Sequence, residues 1–127
     1  MQDLHQLDLP RGTRAPALAR RAVATRLADT ACPWAIRDTA MLLVSELVTN
    51  AVVHSSGDRV GVEVDAAPSC SRVSVVVHDP NPAPLPEPAS VADDVEHGRG
   101  LLLLDMLASR WGWEPTASGK RVWFELC

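Results

Sequence analysis

The sequence is poor in the features that mark several functional classes at once. It holds three cysteines, Cys32, Cys70 and Cys127, widely spaced and with no CxxC pair. That pattern suggests neither a zinc site nor a disulfide framework, and reduced thiols in a cytosol are its simplest reading. No unbroken apolar run approaches the length of a membrane span. The first ten residues, MQDLHQLDLP, lack the basic-then-apolar order of a signal peptide. Cationic excess is missing too: the net charge is −4, with one lysine, Lys120, so nothing marks a surface for nucleic acid or anionic lipid. No internal repeat is present. A cytoplasmic protein without direct nucleic-acid or membrane contact is expected.

What is present is an ordinary globular composition, 46% apolar and 22% charged over 127 residues. That length accommodates a single domain with one proper core. ALARRAVATRLADTA, from about Ala15 to Ala31, is an amphipathic helix stopped by Pro33. A second helix is expected from Trp34 to His54, closed by the turn at Gly57. RVGVEVDA and SRVSVVVHD alternate as half-buried strands. PNPAPLPEP places proline at every second position from Pro80 to Pro88, which excludes helix and central strand and predicts extended chain. A third helix, LLLLDMLASRWG, follows His97-Gly98-Arg99-Gly100. SGKRVWFELC reads as a last strand, paired with Trp111 to Glu114 as a hairpin, and Leu4 to Leu9 as an edge strand or docking arm. Trp111, Trp113 and Trp123 are expected in core and hairpin packing. The order predicts an α/β two-layer sandwich, with a largely antiparallel sheet and helices on one face.

The second helix carries the chemistry. Glu46, Asn50 and His54 recur every four residues along an otherwise apolar helix, so they stack in one stripe. A solvent-facing stripe would more usually carry Lys, Arg or Glu, and Asn is a poor interior helix residue. Magnesium takes one or two protein oxygens beside phosphate oxygens and water, and an Asn side-chain carbonyl is such an oxygen. A carboxylate one turn away can orient or deprotonate an attacking hydroxyl. His54 is expected to cap the helix end. Gly98 and Gly100, before a helix, would let backbone N–H groups approach a phosphate, with Arg99 adding charge. Asp79, at the end of a strand, either starts a turn before Pro80 or accepts a hydrogen bond from an adenine amino group.

Together these segments resemble the Bergerat-fold (GHKL, histidine-kinase-like) ATPases. ELVTNAVVH is similar to the N box, VVVHDPNPAP stands at the first glycine box, and HGRGLLLLDMLASRWGW at the second. The similarity is strongest to the compact, single-domain actinobacterial form of the RsbW-type anti-sigma-factor serine kinases, and it covers nearly the whole chain from Leu18. It implies a mixed sheet backed by helices, with ATP and Mg2+ between them. It implies Glu46 as catalytic base, Asn50 as magnesium ligand and Asp79 as the adenine-reading acid. Gly98, Arg99, Gly100 and Leu101 fall at the phosphate end, and residues 80–97 correspond to the ATP lid of a single domain spanning 1–127. The partners implied are a sigma factor or related regulator and an antagonist protein phosphorylated on Ser or Thr; a homodimer is common in this branch. Two positions depart from the pattern. Asp79-Pro80-Asn81-Pro82-Ala83 replaces D-x-G-x-G, and Lys120 replaces a small hydroxyl residue in the last box. A non-catalytic interaction module with a degenerate nucleotide site is the alternative from another class. The ATP-binding domain of a histidine kinase is a third reading, disfavoured because no helical hairpin with a phospho-accepting His precedes the domain.

Overall fold

A computed structural model describes residues 4–54, 57, 59–85 and 99–127. In chain order the elements are β1 (Leu4–Pro10), α1 (Ala15–Ala28), α2 (Trp34–His54), β2 (Arg59–Ala66), β3 (Val73–Asp79), α3 (Arg99–Leu107), β4 (Arg110–Thr116) and β5 (Gly119–Leu126). The strands form one sheet in the order β1-β2-β3-β5-β4. All four pairings are antiparallel, so the sheet is antiparallel throughout. The helices cover one side, which makes the expected two-layer α/β sandwich. Leu4 to Leu9 lies in a true edge strand, paired with β2 from Leu4↔Asp65 to Pro10↔Arg59.

The alternation read from the sequence sets the layers. Val60, Val62 and Val64 of β2, Val73, Val75 and Val77 of β3, and Val122, Phe124 and Leu126 of β5 are all buried toward the helices. Against them lie Leu43, Val44, Leu47 and Val48 of α2, and Ala19, Val23 and Leu27 of α1. Each such Val or Leu contributes roughly 1.5–3 kcal/mol by leaving water, and the alanines of α1 let it lie close on α2. α3 packs on α2 and buries Leu101 and Leu104 in the same core.

Helix ends differ from expectation where side chains intervene. α1 stops at Ala28 and not Ala31, because Thr30 turns both its amide (3.1 Å) and its hydroxyl (2.7 Å) onto the Leu27 carbonyl. α3 stops at Leu107, because the Ser109 amide leaves the helix to bond the Glu125 carbonyl, 2.9 Å away, and starts β4. Trp111 and Trp113 pack against the core as expected. Trp123 does not share their face: strand alternation puts it on the uncovered side, with the Arg110 guanidinium 5.9 Å from its ring centre.

The cysteine reading requires correction. Cys32, in the α1–α2 connection, and Cys70, in the β2–β3 turn, form a disulfide with Cα atoms 4.8 Å apart, leaving Cys127 free and exposed. Their 38-residue separation hid this: the antiparallel return of β2 and β3 brings the turn back beside the start of α2. The Ala31 amide also bonds the Pro68 carbonyl at 2.8 Å, and Cys70 takes φ +60° to close the turn. No helix among the described residues is long and apolar enough to cross a membrane.

Candidate functional site

The stripe on α2 exists as a physical feature. Glu46 and Asn50 are half-buried, one helical turn apart, while Thr49 and His54 are exposed. Ser45 and Thr49 spend their hydroxyls on the helix's own carbonyls, Leu42 at 2.9 Å and Ser45 at 2.7 Å. Among the described residues, neither Glu46 nor Asn50 has a side-chain hydrogen-bond or ion-pair partner. Neither residue leaves a side-chain polar atom both buried and unsatisfied, so these atoms reach solvent and are open to an incoming ligand.

The C-terminal turn of α2 leaves carbonyls without helical partners. Two of them are satisfied from outside the helix. Arg11 Nε donates to the Val52 carbonyl at 3.1 Å, and Asn81 Nδ2 donates to the His54 carbonyl at 3.0 Å. The second bond positions the site. Asn81 lies two residues beyond Asp79, and His54 one turn beyond Asn50, so the end of β3 is fastened beside the polar turn of α2. Asp79 and the α2 stripe therefore belong to one end of the molecule.

Asp79 is engaged within the chain. It is 8% exposed and faces Lys120, 3% exposed, across the β3–β5 pairing. Lys120 Nζ stands 3.5 Å from Asp79 Oδ2 and donates to the Asn81 and Ala83 carbonyls, each at 2.8 Å. Asp79 Oδ1 accepts the Asn81 amide at 2.8 Å, and Asn81 Oδ1 accepts the Ala83 amide at 3.0 Å. The proline segment thus opens with two successive side-chain-to-backbone turns. The spacing D-P-N-P signals both, since Asp and Asn commonly bond the amide two residues on. Sequence reasoning read Asp79 there and missed Asn81 and the clustering role of Lys120.

Gly119 permits the close approach. Its φ is +153°, and a Cβ there would strike the Asp79 carbonyl oxygen and lie 2.7 Å from the Pro80 backbone. At this end a cavity of about 270 Å³ is lined by Asp79, Pro80, Lys120, Thr116 and Ser118 together with the outward residues Gly61 and His78. None of its lining residues comes from α2, so this cavity opens on the sheet side of the Asp79–Lys120 pair and is separate from the Glu46–Asn50 stripe.

The phosphate end is described in part. Arg99 and Gly100 are the first residues of α3, whose leading N–H groups have no partner within the helix. The Leu101 side chain is 2% exposed and belongs to the core, so only its backbone can face a ligand. Gly98 lies outside the described residues, as does the lid segment beyond residue 85. A nucleotide–metal pair fits this chain unevenly: among the described residues the oxygens of Glu46 and Asn50 have no partner, whereas the acid expected to read the base faces the chain's own ammonium.

Comparison with known proteins agrees with this geometry. The family profile of the histidine kinase-like ATPase domain matches residues 10–126. An uncharacterised protein of Streptomyces coelicolor is 40% identical over 82 residues, covering 62% of this chain and 76% of that protein. Among solved structures, that of the RsbU and RsbW domains of Rv1364c from Mycobacterium tuberculosis superposes with a TM-score of 0.73 at 18% identity. The match takes in 97% of this chain and 32% of that one, so the chain spans about a third of the larger protein. At that identity the likeness is one of fold.

Proposed function

The chain belongs to the histidine kinase-like ATPase family, and on that premise we propose that it is an ATP- and magnesium-binding regulator of the anti-sigma-factor serine/threonine kinase type. In this reading it binds a sigma factor or a related regulator and phosphorylates a small antagonist protein on Ser or Thr. The observation that carries the reading is the pair Glu46 and Asn50, half-buried, one turn apart and without side-chain partners among the described residues. The fold, which an RsbW domain shares, is in keeping with this proposal.

Roles follow from chemistry. Asn50 would hold the metal through its side-chain carbonyl, and Glu46 would accept the proton of the attacking hydroxyl. Backbone N–H groups at the start of α3, around Gly100 and Leu101, would face the phosphates. Bound magnesium supplies charge neutralisation at the transferring phosphoryl group. The test is calorimetric titration of ATP with magnesium into the wild type and into Asn50→Ala. Micromolar binding that weakens at least about tenfold in the variant is expected, the scale of one charge-assisted contact. A folded wild type that binds no nucleotide would reject the proposal. That result would favour the second reading, a non-catalytic interaction module, for which the observation is Asp79 already engaged by Lys120.

A further inference from the structure

Lys120 is the one lysine of the sequence, and it is buried. A buried ammonium must find acceptors for its three protons. Two go to the Asn81 and Ala83 carbonyls, and Asp79 Oδ2 stands 3.5 Å away as the remaining anion. The other oxygen of Asp79 is taken by the Asn81 amide. Both oxygens of the acid expected to read a base thus face donors from the chain itself. The ammonium fills the inward side of the β3–β5 pairing, where a shorter hydroxyl side chain would leave room. The Asn81–His54 bond then closes the same segment onto α2.

We infer that Lys120 is a specificity-determining residue: it stands where the amino group of a purine would donate to Asp79, so the site recognises the triphosphate and metal without reading the base. The inference rests on the nucleotide reading above and refines it. A donor on the base would compete for Asp79 with an ammonium held by two carbonyls, and displacing one partner of a buried ion pair is strongly unfavourable. Lys120 acts on selectivity through Asp79 and takes no part in phosphoryl transfer.

The experiment compares magnesium complexes of ATP and inosine triphosphate, which carries a carbonyl in place of the purine 6-amino group. Both are titrated into the wild type and into Lys120→Thr. The wild type should bind the two within about threefold. Lys120→Thr, with Asp79 released, should prefer ATP by about tenfold or more, the effect of one hydrogen bond to a charged group. A purely structural lysine would change both affinities together and leave their ratio fixed, which overturns the inference. A tenfold preference for ATP already in the wild type also overturns it, and that arm stands even where Lys120→Thr does not fold. In both cases the nucleotide reading survives. Failure of a folded wild type to bind either nucleotide removes that reading and this one with it.

Discussion

Breaking the Cys32–Cys70 bond gives the most quantitative test of the architecture. The bond closes a loop of 38 residues that includes all of α2 and β2. Opening it returns conformational freedom chiefly to the unfolded chain. The loop-entropy relation gives about 4 kcal/mol at 25 °C for a loop of this length. For a chain of 127 residues, each kcal/mol moves the melting temperature by about 4 °C. A fall of about 10–15 °C is therefore expected on reduction, and again in the double variant Cys32→Ser, Cys70→Ser. Circular dichroism melts with and without a phosphine reductant measure it, and thiol titration in denaturant verifies the bond. One thiol per chain, Cys127, should react before reduction and three after it. Three reactive thiols in air-oxidised protein would refute the pairing. A count rising from one to three with a melting shift below about 2 °C would refute the entropic argument instead.

Two further outcomes follow from the site. Gly119→Ala should cost roughly 3 kcal/mol, since it meets both an unfavourable φ and the backbone of Asp79 and Pro80; urea unfolding with an unchanged m-value measures this, and a loss below about 1 kcal/mol would contradict the close approach. Glu46→Gln should keep magnesium–ATP binding within about threefold of wild type, because the carboxylate's proposed task is proton transfer. Phosphoryl transfer to an acceptor protein should fall at least about a hundredfold, and equal rates in radiolabel transfer would remove Glu46 from that role.

The parts of the fold legible in the sequence were those fixed by local periodicity and punctuation. Pro33 before and Gly57 after set the bounds of α2, which runs from Trp34 to His54 as expected. Alternation in RVGVEVDA and SRVSVVVHD gave half-buried strands, observed as Arg59–Ala66 and Val73–Asp79 with every second residue buried. The misreadings arose where distant segments decide the outcome. Cys32 meets Cys70, Arg11 caps Val52 and Lys120 holds Asn81 and Ala83, each across 37 residues or more. Spacing along the chain carries no trace of such contacts. The expected core and hairpin packing of the tryptophans divides by face: Trp111 and Trp113 pack on the core, while Trp123 lies over Gly112 of the hairpin, its cross-strand partner between them.

The fastening of α2 at both ends has a mechanical meaning. Just before its first turn the chain is held by the Cys32–Cys70 bond and the Ala31–Pro68 hydrogen bond. Its last turn is held by Arg11 and Asn81. A beam supported at two points resists both sliding and tilting, so Glu46 and Asn50 keep their spacing and aim relative to the sheet. In the proposed nucleotide reading, adjustment to a guest would come from what packs around the beam, with α2 as the fixed ruler.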